Sequence, residues 1–107
     1  MIYLASPYSS DNSDVRLVRF YKACSAAARL MRKGMHVLSP IAHSHFIAEC
    51  GGLPGDWKFW REFDLELLKA CDSMTVLMLE GWRESKGVQA EIKIAEEMGM
   101  PVTYIES

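Results

Sequence analysis

The segment Met74-Thr75-Val76-Leu77-Met78-Leu79 is an unbroken apolar run rich in β-formers, and a short polar stretch parts it from a helical pattern opening at Ser85. A continuous apolar run of this length reads as a buried strand. Ser85 is a suitable N-cap, Gly87 falls in the first helical turn, and periodic apolar residues continue to a stop at Gly99-Met100-Pro101. A strand that feeds a helix through a short polar loop creates an anion site. The free N–H groups and the positive end of the helix dipole both point at the loop.

Advancing about 100° per residue along this helix separates its faces. Val88, Ile92, Ile94, Ala95 and Met98 form an apolar stripe, and Lys86, Gln89, Lys93, Glu96 and Glu97 lie on the other side. Glu91 falls inside the stripe. A buried carboxylate costs several kcal/mol unless it has a partner. Helical side chains lean toward their own N-terminus, so Glu91 is expected to reach back toward Ser85 and Gly87. The plain alternative is a glutamate at the core edge, curling to solvent.

The rest of the chain alternates strands and helices. Ile2–Ala5 reads as a strand ended by the turn-prone Ser6-Pro7-Tyr8, and a helix is expected from about Val15 to Lys33, closed by Gly34. Met35–Leu38 reads as the second strand, Ala42–Cys50 as a short helix, and Gly51–Gly55 as a loop. Asp56 caps a helix from Trp57 to about Cys71, and Pro101–Ile105 is the last strand. This alternation predicts one α/β domain over residues 1–107: a flavodoxin-like (Rossmann-like), doubly wound parallel sheet of four or five strands with helices on both faces. Ligands of such sheets bind beyond the carboxyl ends of the strands, where strand order reverses. The exits of the first and third strands would flank that point, at Ser6, Pro7 and Tyr8 and at 80–85.

A second misplaced acid occurs on the Trp57–Cys71 helix. Trp57, Phe59, Trp60, Phe63, Leu67, Leu68, Ala70 and Cys71 gather on one side, and Asp64 sits among them. Two carboxylates in apolar stripes of neighbouring helices point to a paired-carboxylate site of the kind glycoside chemistry uses. Two independent core-edge acids are the alternative. Tyr3, on the first strand, is placed to hydrogen-bond such a carboxylate or simply to fill the core. His43 and His45 form an HxH that lacks the other ligands a structural metal site needs at characteristic spacing, so they are expected to line a pocket or face solvent. Trp57, Trp60 and Trp82 suit core or interface, with Trp82 also able to cover a base; Arg16, Arg19, Arg61 and Arg83 are solvated charges or phosphate partners. No P-loop, GxGxxG or GxSxG motif is present, which disfavours kinase, dehydrogenase and serine-hydrolase chemistry.

Composition narrows the classes further. A net charge of −2 with no basic run gives no basis for binding a nucleic-acid polymer. No apolar run reaches membrane-span length, and the start of the chain has no signal-peptide pattern. The three cysteines, Cys24, Cys50 and Cys71, have no CxxC spacing and read as reduced thiols of a cytoplasmic protein. Seven methionines and three tryptophans in a small domain hint at apolar surface for a partner subunit.

Three segments, Ile2-Tyr3-Leu4-Ala5-Ser6-Pro7-Tyr8, Asp64-Leu65 with Ala70-Cys71-Asp72, and Ser85-Lys86-Gly87-Val88-Gln89-Ala90-Glu91, together resemble the nucleoside 2-deoxyribosyltransferase superfamily. That superfamily includes deoxynucleoside 5′-monophosphate N-glycosidases, and the resemblance runs in order along almost the whole chain. It implies that Glu91 is the nucleophile, that Tyr3 holds its carboxylate, and that Asp64 assists the leaving base. Ser85 with Gly87 would form the 5′-phosphate or 5′-hydroxyl pocket, and Ser6, Pro7, Tyr8, His43, Trp82 and Val88 are expected to complete the substrate site. The implied substrate is a nucleoside or nucleoside 5′-monophosphate, with no metal or redox cofactor, in a homodimer or homotetramer. Only Glu106 and Ser107 follow the last strand, where that superfamily usually carries an extension completing a neighbour's site. The sequence thus looks like a short bacterial branch, and a non-catalytic nucleotide-binding or sensing module is the alternative reading.

Overall fold

The structure, a computed structural model, describes residues 1–107. Four parallel strands form one sheet: β1 (Ile2–Ala5), β2 (Val37–Leu38), β3 (Ser73–Leu77) and β4 (Val102–Ile105), in the order β2-β1-β3-β4. The helices are α1 (Ser13–Arg32), α2 (Pro40–Gly51), α3 (Trp57–Lys69) and α4 (Lys86–Glu97). The sheet is flavodoxin-like. In register, Tyr3 lies beside both Leu38 and Met74, and Val76 beside Tyr104. Strand order reverses between β1 and β3.

Alternation along β1 sends its side chains to two different cores. Tyr3 and Ala5 enter one with Met74, Val76, Leu68, Val88, Ile92 and Ala95, under α3 and α4. Leu4 points the other way, to Ala26, Ala27, Leu30, Leu77 and Leu79 under α1. The small alanines of α1 let its backbone approach the sheet. Tyr3, Leu4, Leu68, Met74, Val76, Leu77 and Val88 are fully buried. Burying each large apolar side chain of this set stabilises the fold by about 1.5–3 kcal/mol. No helix is long and apolar enough to cross a membrane.

Element boundaries follow local hydrogen bonding. The strand expected at Met35–Leu38 is only Val37–Leu38, because Met35 N–H donates to Leu30 O and so closes α1 instead of joining the sheet. Gly34, at φ 85°, makes that reversal possible. Helix α2 is longer than the expected Ala42–Cys50, since Ser39 caps it and Pro40 occupies its first turn, where a missing N–H costs nothing. The apolar side of α3 is covered less than its periodicity predicts: Phe59 and Phe63 stay 47% and 40% exposed. The first half of α3 is the less buried one, while Leu68 near its far end is wholly buried.

Candidate functional site

A cavity of about 460 Å³ opens over the carboxyl ends of β1 and β3, at the point where strand order reverses. Helix N-termini surround it. Ser85 caps α4 by accepting from Val88 N–H at 3.2 Å, and Asp56 caps α3 by accepting from Phe59 N–H at 3.1 Å. Ser39 caps α2 in the same way. The Ser39 and Ser85 caps lie where parallel strands hand over to helices, and the Asp56 cap follows the loop after α2. Lys86 and Gly87, in the first turn of α4, line the cavity, and their N–H groups have no intrahelical acceptor.

Glu91 sits on the second turn of α4, only 5% exposed, and reaches the cavity wall. The Tyr3 phenol, fully buried beneath it, donates a hydrogen bond to Glu91 Oε2. Asp64 of α3 lines the same cavity. Burial pushes the Glu91 carboxyl up to about 8, against the pull of the Tyr3 hydrogen bond and with a further push from the Asp64 charge. Burial likewise pushes Asp64 up to about 7. The Tyr3 phenol is driven far above its ordinary value by burial and then by the two nearby acids, so it remains a donor at every working pH. The pair therefore loses its protons around neutrality, and across that range one carboxyl is ionised while the other holds a proton.

Of the residues expected at the site, Ser6, Tyr8, Ser85, Gly87, Val88, Asp64 and Glu91 all line the cavity, and Tyr3 lies directly behind Glu91. Pro7 is buried and does not reach the lining. His43 and Trp82 are not at the cavity either. His43 is turned away and stacks on Phe63, with ring centroids 5.7 Å apart and planes 12° apart. Residues two apart on a helix point about 200° apart, so only one histidine of an HxH can face inward. That one is His45, 4% exposed and part of the lining. Trp82 packs against Tyr104 beside β4, 5.7 Å between centroids, with the Arg83 guanidinium over its ring. Its carbonyl accepts from the Gln89 side chain at 3.2 Å, which ties the loop to α4.

Trp57 and Trp60 of α3 do line the cavity, in positions that periodicity alone assigned to the core. Gly87 makes room for Trp57: a Cβ there would sit 3.2 Å from the indole Cε3. Arg19 of α1 also reaches the lining, and donates to the carbonyls of Ser9 at 2.9 Å and Glu80 at 3.4 Å. It thereby bridges the exits of β1 and β3. A Cβ on Gly81, which stands at φ 90°, would come within 2.8 Å of the Arg19 Nη2. No group of three or more His, Cys, Asp or Glu converges closely enough to hold a metal ion, so the HxH has no further ligands.

The arrangement is suited to displacement at an electrophilic carbon. It has one buried carboxyl with a fixed phenol donor, a second acid nearby, aromatic rings, and unsatisfied N–H groups in a single concave site. No curated protein matches the chain. Over its whole length, residues 1–107, the sequence matches one family model, and the chain belongs to the family described as a domain of unknown function, DUF1937.

Proposed function

We propose that this domain cleaves or transfers the N-glycosidic bond of a nucleoside or nucleoside 5′-monophosphate. The observation that carries the reading is the Tyr3–Glu91 hydrogen bond at the wall of a cavity that also holds Asp64. A carboxylate held by one fixed donor keeps its second oxygen free to attack. Glu91 adds to C1′ of the sugar as the bond to the base breaks, through an oxocarbenium-like transition state. The departing nitrogen takes its proton from Asp64, and a glycosyl ester remains on Glu91. With Asp64 at about 7 and Glu91 at about 8, this reacting form is the smaller share of the singly protonated pair. Water or a second base then displaces the ester. The α4 N-terminus at Lys86 and Gly87 suits a 5′-phosphate or 5′-hydroxyl. Trp57 and Trp60 offer ring faces to the base.

On this reading the family stands beside the nucleoside 2-deoxyribosyltransferases. Exposed Tyr21, Phe46, Ile47, Phe59 and Phe63 support a homodimer or homotetramer, and three unpaired cysteines support a reducing, cytoplasmic setting. The test is base release, measured by chromatography, from a panel of ribo- and deoxyribonucleosides and their 5′-monophosphates. Free base from the wild type and none from Glu91→Ala supports the reading. Equal release from both, or none from either, overturns it.

A further inference from the structure

The end of the sheet opposite the candidate site carries a second cluster of donor atoms. A shallow hollow there, where β1 and β2 begin, is lined by Met1, Met31, Gly34, Met35, His36 and Val37. Four of these residues bring a soft or borderline donor: three thioether sulfurs and one imidazole. All three methionines are open to solvent, Met1 at 52%, Met31 at 51% and Met35 at 42%, whereas Met74 and Met100 are buried.

The main chain under each donor is fixed. Helix α1 ends in a paired turn, in which Gly34 N–H donates to Met31 O at 2.9 Å and Met35 N–H to Leu30 O at 3.2 Å. This Schellman arrangement, with Gly34 left-handed at φ 85°, holds Met31 and Met35 in one turn. His36 O accepts from Ile2 N–H at 2.8 Å, which lays Met1 beside the residues that lead into β2. Met1 is itself held twice: its amine lies 2.9 Å from the Asp72 carboxylate, and its carbonyl accepts from Asp72 N–H at 2.9 Å. Two distant stretches of chain thus present their donors to one hollow, with the side chains left to adjust.

The donors decide which ion fits. Thioethers are uncharged and polarisable, so they bind soft ions, while carboxylates and carbonyls suit hard ones. The hollow has no carboxylate in its lining. Asp72, which touches Met1, is engaged by the Met1 amine, and Arg32 and Lys33 stand exposed in the turn between Met31 and Met35. A hard divalent cation therefore finds no charge partner and meets positive neighbours. A soft monovalent ion relies least on charge and accepts neutral donors. We propose that Met1, Met31, Met35 and His36 form a binding site for a soft monovalent metal ion, Cu(I). No cluster of His, Cys, Asp and Glu alone could hold a metal, and here the thioethers supply the set. The bound ion ties Met1 to the end of α1 and the start of β2, so it stabilises the native chain, where these donors are gathered. The site stands apart from Glu91 and takes no part in the chemistry proposed there.

The experiment uses the chain with a free Met1 amine and with two thiols replaced, Cys24→Ser and Cys50→Ser; Cys71 is only 7% exposed. Ag(I), which matches Cu(I) in softness and keeps its oxidation state, is titrated in chloride-free buffer, and Cu(I) is added without oxygen. Methionine methyl and His36 ring signals are followed by NMR. About one equivalent of either ion should shift the signals of Met1, Met31, Met35 and His36 together and raise the melting temperature. Those of buried Met74 and Met100 should stay in place. Met31→Leu and Met35→Leu keep the side-chain volume and should each weaken binding by at least about tenfold, as loss of even an outer partner of a metal does. His36→Ala, at an exposed position, should do the same. Zn(II) and Mg(II) should move none of the four. Signals that move at none of the four residues, binding undiminished in the Met31→Leu/Met35→Leu double variant, or Zn(II) engaging the same four overturns the inference. Base release enters none of these readings, so the glycosidase proposal is tested separately.

Discussion

Tyr3 and Glu91 are 88 residues apart in sequence, yet the phenol of one donates to the carboxyl of the other inside the core. The strand supplies a fully buried donor, and the helix supplies an acid only 5% exposed that opens on the cavity. The contact opposes the rise that burial imposes on Glu91 and leaves one carboxyl oxygen for a substrate.

Removing either partner separates the chemistry from the fold. Glu91→Gln should fold and retain ligand while base release falls by at least about 10³-fold, as expected when a nucleophile is lost. Tyr3→Phe deletes the donor alone. Burial then raises Glu91 without opposition, so the upper limb of the rate profile, set by Glu91 at about 8, should move to higher pH, and the neutral-pH rate should drop by about tenfold or more as the ionised nucleophile becomes scarcer. Steady-state kinetics across pH distinguishes the two, because Glu91→Gln should have no limb left to move.

Activity should follow a bell-shaped profile with its maximum between about 7 and 8, the values that burial gives Asp64 and Glu91. Below that interval both carboxyls are protonated and no nucleophile exists. Above it both are ionised and no acid remains for the base. Measuring kcat/KM from pH 5 to 10 checks this, and a profile flat through neutrality would remove the shared-proton scheme.

Stability should fall as pH rises over the same region. The folded chain holds a proton on Glu91 that the unfolded chain gives up near 4.5. Its contribution is therefore fully present below about 4.5 and is lost as pH climbs through about 8. For Glu91 alone the change is on the order of 5 kcal/mol. Asp64 shifts in the same direction. Denaturant melts at pH 5 and pH 9 should show the wild type weaker at the higher pH, and Glu91→Gln should lose much of that slope.

Ser85 and Gly87 should fail in different ways when substituted. Ser85→Ala removes the cap on Val88 N–H and should cost about 1 kcal/mol of stability. In Gly87→Ala the new Cβ would press on Trp57 at 3.2 Å, where the indole forms part of the cavity wall. That variant should raise KM severalfold with little loss in melting temperature. Paired thermal melts and substrate titrations would reveal whether the two effects separate.

Much of this protein was legible along the chain, for one physical reason: periodicity is a local property. The apolar run at Met74, the Ser85 and Asp56 caps and the stop at Gly34 each depend on neighbours within a few residues, and the structure has these elements in that order. The same periodicity singled out Glu91 and Asp64 as acids in apolar stripes, and both open on the cavity. What sequence could not determine was how separate elements turn toward one another. The HxH offered two histidines two residues apart, and only the docking of α2 on α1 and β1 selected His45 and sent His43 to Phe63. Trp82 looked ready to cover a base, but the closing of β4 on β3 gave it Tyr104 as a partner. Trp57 and Trp60 carried the pattern of core or interface residues, and in the fold both stand half-buried in the cavity wall. The raised acidities of Glu91 and Asp64 arise only after folding, since no chain segment desolvates its own carboxyl; that takes a sheet, two helices and a tyrosine 88 residues away.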